Sequence, residues 1–426
     1  SIANMAKSHF DQVTIYADRN FHQKPEQQDG VCVKAVLNNF AIKKIKPLVN
    51  QLFYPLSLLK KEKKRKKMND TILEEVPSTL ITVGKKIQSL DLYFSIKKIL
   101  KEHLKPTNQS IHILIQHCKA SDIMAIRRLI HTFNHEFHQK IYIHLIIREE
   151  KDFFCGTSSE FHQLESDLRL LIQAKNIHVS LLADTQLLCN HYQSITGAKN
   201  QFNLFPALMS ANIPPIKKSP EDANNRKLRL SILGTPRLEK GLEETIQLIH
   251  DMNQCYHHNR MVLCVQVDAK SSDGAVQKAV QSIQDIKADN RQQRYPLELL
   301  KGPAPTELYF SWLANTDILL MPYTSRKYQF SSSGIFMEGI HFAIPSVVPK
   351  DTWMASLIEK AKLKGLKIGE VADSITDFPE KIDAILSNIE RYQGDMATFR
   401  ENWHAFNNSD TLIQTLLQPE RSAENE

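Results

Sequence analysis

The chain has no apolar run of the roughly 18 residues that a membrane-spanning helix needs. A transmembrane span is therefore not expected. Its opening residues, SIANMAKSHFDQV, lack the apolar core of a secretory signal, so folding in the cytoplasm is expected. The six cysteines, Cys32, Cys118, Cys155, Cys189, Cys255 and Cys264, include no CxxC pair. That predicts reduced thiols and no structural zinc. The seventeen histidines are scattered, with neither HExxH nor another metal-binding spacing, so no metal site is expected. An excess of charge of one sign is scarce outside a single block. Lys60 to Lys67 (KKEKKRKK) carries net +6 of the formal +7, leaving +1 for the other 418 residues. A diffuse basic face is excluded, and with it a specific nucleic-acid partner.

At 426 residues, with 42% hydrophobic and 24% charged residues, the chain is long enough for two globular domains. In the first half, β-branched runs at Val13–Tyr16, Thr79–Val83, Ile111–Gln116, Ile141–Ile147 and Ile177–Leu182 alternate with polar, helix-length sequence. Residues Leu204 to Asn225 then lose periodicity and gather four prolines, which reads as a linker. The alternation resumes with strands at Leu228–Leu233, Met261–Val267, Leu297–Leu300, Ile318–Met321 and Ser346–Val348. Helices are predicted between them at Glu239–Asn253, Gly274–Ile286, Thr306–Asn315 and Ile335–Phe342. This pattern predicts an α/β protein with two Rossmann-like, doubly wound domains in tandem. The expected division is 1–205, a linker at 206–226, 227–392, and a helical segment at 393–426 that packs back on the domains. Ligands in such sheets sit at the carboxyl ends of strands, here a cleft that the two domains would face.

Two motifs on the second domain carry chemistry. In Thr316 to Ala355 an apolar strand ends at Pro322, Ser331 to Gly334 form a turn of small residues, and a helix begins. A helix N-terminus reached through serines and glycine offers unpaired N–H donors and a partial positive charge, which suits a phosphate. Glu338 lies one turn in and is either a solvated carboxylate or a ligand for something beyond the phosphate. Upstream, LRLSILGTPRLEKG (Leu228 to Gly241) is a strand, a turn with Gly234 and Pro236, and two cations, Arg237 and Lys240. Together these cations can neutralise a leaving diphosphate.

In this order and separation the two motifs resemble the donor domain of GT-B glycosyltransferases, in particular glycosyltransferase family 4. The resemblance covers Leu228 to Ala355, including LELLKGPAPTELYFSWLANTDILLMPY (Leu297 to Tyr323), which is similar to the family's approach to the nucleobase pocket. It implies a GT-B architecture of two Rossmann-like domains facing a cleft, with a C-terminal helical tail. It also implies Arg237 and Lys240 at the donor diphosphate, Ser333 and Gly334 contacting phosphate through backbone N–H groups, and Glu338 on the ribose hydroxyls. Leu300 to Gly302 would border the base. No cofactor is implied beyond a nucleotide-diphosphate sugar as donor substrate, and transfer would retain configuration without a metal. Many relatives carry a second Glu eight residues before the first; this chain has Phe330 there. That departure leaves open a GT-B scaffold or regulatory subunit that binds a nucleotide sugar without transferring it.

The first half resembles the family at Ile177 to Pro206, which contains its "D-[ST]" loop, but the usual Gly-Gly acceptor loop is replaced by Ala17 to Gly30. His117, at the end of the strand at Ile111–Gln116, is the candidate near the anomeric centre; the alternative is an ordinary loop histidine. In Phe40 to Lys67, apolar residues precede the cationic block. Such a segment either lies on an anionic membrane at the inner face or forms a solvated loop. A saccharide, lipid-linked or protein acceptor fits these features.

Overall fold

The alternating pattern folds into parallel sheets. The computed structural model describes residues 13–17, 31–35, 92–94, 96–97, 111–115, 118, 120–133, 141–148, 166, 171, 177–196, 202–207, 227–255, 261–268, 271, 273–289 and 295–423. The predicted strand at Thr79–Val83, the segment from Phe40 to Lys67, His117 and most of the linker lie outside these residues. The chain divides into two compact units. One comprises Ser1–Ala183, Cys189–Leu204 and Ile413–Glu426, and the other Asp184–Leu188 and Phe205–Leu412.

In the first unit, strands β1 (Val13–Ala17) and β2 (Val31–Ala35) pair in parallel. Strands β3 (Ile111–Ile115), β4 (Ile141–Ile147), β5 (Ile177–Ala183) and β6 (Phe202–Leu204) form a parallel sheet in that order. Helix α1 (Ala120–Phe133) joins β3 to β4, and α2 (Gln186–Thr196) follows β5. Every residue of β4 is buried, as expected for a strand covered on both faces. One of them is His144, whose Nε2 lies 3.0 Å from His112 Nδ1. Burial pushes the His144 imidazole down to about 3, and the nearby His112 adds to the shift.

The second unit holds six parallel strands: β7 (Leu228–Ile232), β8 (Met261–Val267), β9 (Leu297–Lys301), β10 (Ile318–Leu320), β11 (Ser346–Pro349) and β12 (Gly369–Ala372). Their spatial order is β9-β8-β7-β10-β11-β12, the doubly wound order whose direction reverses between β7 and β10. Successive residues around β10 enter different cores, because side chains alternate across a strand. Ile318 and Leu320 join the cluster that includes α3 (Leu242–Cys255), α4 (Gly274–Ala288) and α9 (Phe378–Leu386). Leu319 and Met321 join the one built from α7 (Gly334–His341), α8 (Trp353–Leu363) and α10 (Ile389–Phe406). Short helices α5 (Thr306–Ala314) and α6 (Ser325–Tyr328) flank β10, and α11 (Ser409–Ala423) ends the described chain. Among the described residues no helix is long and apolar enough to cross a membrane.

One shifted boundary bears on the meeting of the two motifs. The helix predicted from Glu239 begins instead at Leu242, after a 3-10 turn at Leu238–Lys240 that ends on Gly241 in the left-handed conformation (φ 72°). A Cβ at Gly241 would lie 1.5 Å from the Pro322 carbonyl oxygen. The absent side chain therefore lets the turn after β7 sit directly against the end of β10.

Candidate nucleotide-binding site

The two motifs meet at the carboxyl edge, where the strand order reverses. Beyond the contact of Gly241 with Pro322, Glu239 ties them together. Its carbonyl accepts from Thr324 N (3.2 Å) and Thr324 Oγ1 (3.0 Å), and its carboxylate accepts from Lys327 Nζ at 3.1 Å. Arg237 reaches the same carboxylate at 3.9 Å. Burial opposes ionisation of Glu239, but backbone and Lys327 hydrogen bonds with the charges of Lys327 and Arg237 outweigh it and hold its pKa below the ordinary value.

Arg237 stands in extended backbone ahead of the 3-10 turn, its side chain 54% exposed and available to an anion. Lys240 lies lower, its ammonium 2.8 Å from where a Cβ on Gly234 would be. Gly234 has φ 102°, so any other residue would be strained there as well as crowded. Burial pushes Lys240 down to about 8 and Arg237 adds to this, while Glu338 and Glu239 pull it back. A site that crowds cations in partial burial favours an arriving anion, which restores the charge that desolvation suppresses.

Helix α7 supplies the second half. Ser333, buried, caps it by accepting from Phe336 N at 3.4 Å. Gly334 opens the helix onto free space, since a Cβ there would meet nothing within 4 Å. Phe336 N–H is taken by that cap, and the other first-turn N–H groups have no intrahelical acceptor, as at any helix start. Phe336 and Ile340 anchor the helix in the core. Gly339 brings it close to the sheet, where a Cβ would come within 3.1 Å of Leu319 Cδ2. These contacts fix Glu338 on the opposite side of the same turn.

Glu338 is held by Tyr309 of α5, whose hydroxyl donates to Oε2. Burial raises the carboxyl pKa above the usual range, whereas the Tyr309 hydrogen bond and the charge of Lys240 hold it down. Burial and Glu338 together drive the Tyr309 phenol upward, so it stays a donor. The structure thus brings Arg237, Lys240, Ser333, Gly334 and Glu338 to one edge. Gly302, which follows β9, lies further along that edge; its N–H donates to the Val267 carbonyl at 2.6 Å. His117 and Lys60 to Lys67 are outside the described residues. Among the described residues no group of three or more His, Cys, Asp or Glu side chains could hold a metal.

The serine turn is pinned within the second unit as well. Ser332 Oγ donates to Asp184 Oδ2 at 2.6 Å, and Thr185 Oγ1 donates to the Phe330 carbonyl. Sequence reasoning missed Tyr309, Glu239 and Lys327. All three lie inside the stretches that it singled out, but no periodicity marks which polar side chains turn inward.

No protein-family model and no curated protein matches the sequence. Solved structures do match. A glycosyltransferase from Rickettsia africae is 11% identical with a TM-score of 0.56, over 97% of this chain and 99% of that one. A UDP-forming α,α-trehalose-phosphate synthase from Burkholderia xenovorans is 12% identical with a TM-score of 0.56, over 93% and 89%. Anabaena HepE in complex with UDP-glucose is 14% identical with a TM-score of 0.50, over 77% and 89%. At these identities the likeness establishes the fold: the chain has the GT-B fold, two Rossmann-like units with C-terminal helices.

Proposed function

We propose that the protein is a glycosyltransferase that moves a sugar from a nucleotide-diphosphate sugar to a saccharide, lipid-linked or protein acceptor. The observation that carries this reading is the meeting of Arg237, Lys240, the open N-terminus of α7 and Glu338 at the reversal point of a doubly wound sheet. Arg237 and Lys240 hold the diphosphate, with Ser333 and Gly334 adding backbone donors. Glu338 accepts from the ribose hydroxyls, and Leu300 to Gly302 border the base. Glycosidic cleavage places negative charge on the leaving diphosphate, which these cations and amides would stabilise. That arrangement needs neither a protein nucleophile nor a metal, and we assign a retaining, metal-independent, family-4-like reaction. The domain division near residue 205, a catalytic role for His117, and peripheral attachment to an anionic membrane through Lys60 to Lys67 belong to the same proposal. HepE binds UDP-glucose and the trehalose-phosphate synthase is UDP-forming, so uridine donors come first in a trial.

The test is incubation with UDP-, GDP- and ADP-sugars and a set of acceptors. Transfer or donor hydrolysis that Arg237→Ala and Glu338→Ala abolish is the expected result; turnover unaffected by both substitutions overturns the assignment. Phe330 favours a second reading, a scaffold that binds the nucleotide sugar without transferring it. Saturable donor binding with no turnover on any acceptor would establish that reading instead.

A further inference from the structure

Gln266 stands near the carboxyl end of β8, between the turn after β7 and the turn after β9, and it touches both. Its Oε1 accepts from Gly234 N at 2.7 Å. Its Nε2 lies 3.5 Å from where a Cβ on Gly302 would be, and that Cβ would also press the Val267 carbonyl at 3.3 Å. The bond to Gly234 fixes the amide orientation: the oxygen is committed to the phosphate turn, and the N–H2 faces the Gly302 side. Among the described residues that N–H2 meets no acceptor, although Gln266 is only 9% exposed. Unlike the buried polar atoms that have no partner, Nε2 keeps contact with solvent, so it is a donor that a ligand can reach without breaking an existing bond. A glutamine is also out of place in a strand that reads MVLCVQV and is otherwise apolar and buried. Its 9% exposure shows that the side chain is not sealed in the core.

We propose that Gln266 is a specificity-determining residue of the donor site, its amide N–H2 donating to an acceptor oxygen on the nucleoside half of the ligand. This rests on the nucleotide-binding reading above, in which the diphosphate lies by Gly234 and the base by Gly302. Two glycine turns bracket Gln266 where a ligand would pass close to backbone, and the group presented between them is a donor only. It therefore selects a carbonyl or ether oxygen and disfavours an amino group at that point. No bond is made or broken at Gln266; it acts by recognition.

The experiment is calorimetric titration of UDP, GDP, ADP and inorganic pyrophosphate into the wild type, Gln266→Met and Gln266→Glu. Methionine keeps the volume and removes both polar atoms. Glutamate keeps the acceptor for Gly234 and replaces the donor, so it stands in should the methionine variant fail to fold. The readout is the ratio of the pyrophosphate Kd to that of the best-bound nucleoside diphosphate. A fall of about tenfold in that ratio is expected, the loss of one neutral hydrogen bond to the nucleoside. A ratio equal to the wild type's in a folded variant overturns the proposal, including the case in which both ligands weaken together, which would make Gln266 a support of the phosphate turn alone. A wild type that binds no nucleoside diphosphate would instead sink the nucleotide-binding reading itself.

Discussion

Replacing Tyr309 by Phe removes one oxygen and leaves the ring in place, so it isolates the hydrogen bond to Glu338. Two groups hold the Glu338 carboxylate against burial, the Tyr309 hydroxyl and the Lys240 charge. A hydrogen bond to a charged acceptor contributes about 1.5–3 kcal/mol, and each 1.4 kcal/mol is about tenfold in an equilibrium constant. With Glu338 binding the ribose as an anion, Tyr309→Phe raises the cost of ionising the carboxyl and weakens nucleoside diphosphate binding by roughly 10- to 100-fold at pH values below the carboxyl pKa, the effect fading as the pH rises above it. The pH dependence has a definite sign. Without the hydroxyl the Glu338 pKa rises further above its ordinary range, so binding fails at a higher pH on the acid side than in the wild type. Calorimetry of the nucleoside diphosphate and its 2′-deoxy analogue between pH 5 and 8 reads both effects. In the variant the penalty for losing the 2′-hydroxyl should shrink, because the two changes strike the same interaction. Equal affinities and an unmoved acid limb in Tyr309→Phe would refute the role assigned to the Tyr309–Glu338 pair.

Lys240 titrates at about 8 in the unliganded protein, so nucleotide affinity should fall above pH 8 by up to about tenfold per pH unit, as the free site loses its charge before binding. Lys240→Met should flatten that limb; an identical pH profile in the variant would exclude Lys240 as its source. Gly241→Ala forces a side chain into left-handed backbone and against the Pro322 carbonyl, and should destabilise the fold by at least about 2 kcal/mol in urea unfolding. Unfolding unchanged by this substitution would contradict the close approach of the two motifs. His144 is neutral when folded, with its pKa lowered to about 3, so stability should decline as pH falls below 6.5, by roughly 2 kcal/mol at pH 5. His144→Leu should remove that slope, and a slope that persists in the variant would place the acid sensitivity elsewhere.

Strands were legible wherever β-branched runs were bounded by turns: β4 and β8 match the predicted residues at both ends. The sheet order could not be read from them, since pairing is long-range and a strand's pattern does not name its neighbour. Strand β12 and helix α8 carried weaker signals and were not predicted, although Trp353 and Ile358 are core residues. Helix α3 started late because Gly241 has a backbone role that its place in GTPRLEKG does not reveal. Arg237, Lys240 and Glu338 stood out because each is a charge beside a glycine turn. Tyr309 and Gln266 did not, because what marks them is a hydrogen bond across tens of residues: Tyr309 to Glu338 and Gln266 to Gly234.

The central claim is that one nucleoside diphosphate site is built from the turn after β7 and the start of α7. It is tested most directly by titrating UDP, GDP and ADP into the wild type, Arg237→Ala and Glu338→Ala. The account predicts one nucleotide bound per chain and weakened by roughly tenfold or more in each variant, with pyrophosphate binding lost in Arg237→Ala and retained in Glu338→Ala. Nucleotide binding of wild-type strength in both variants would contradict it.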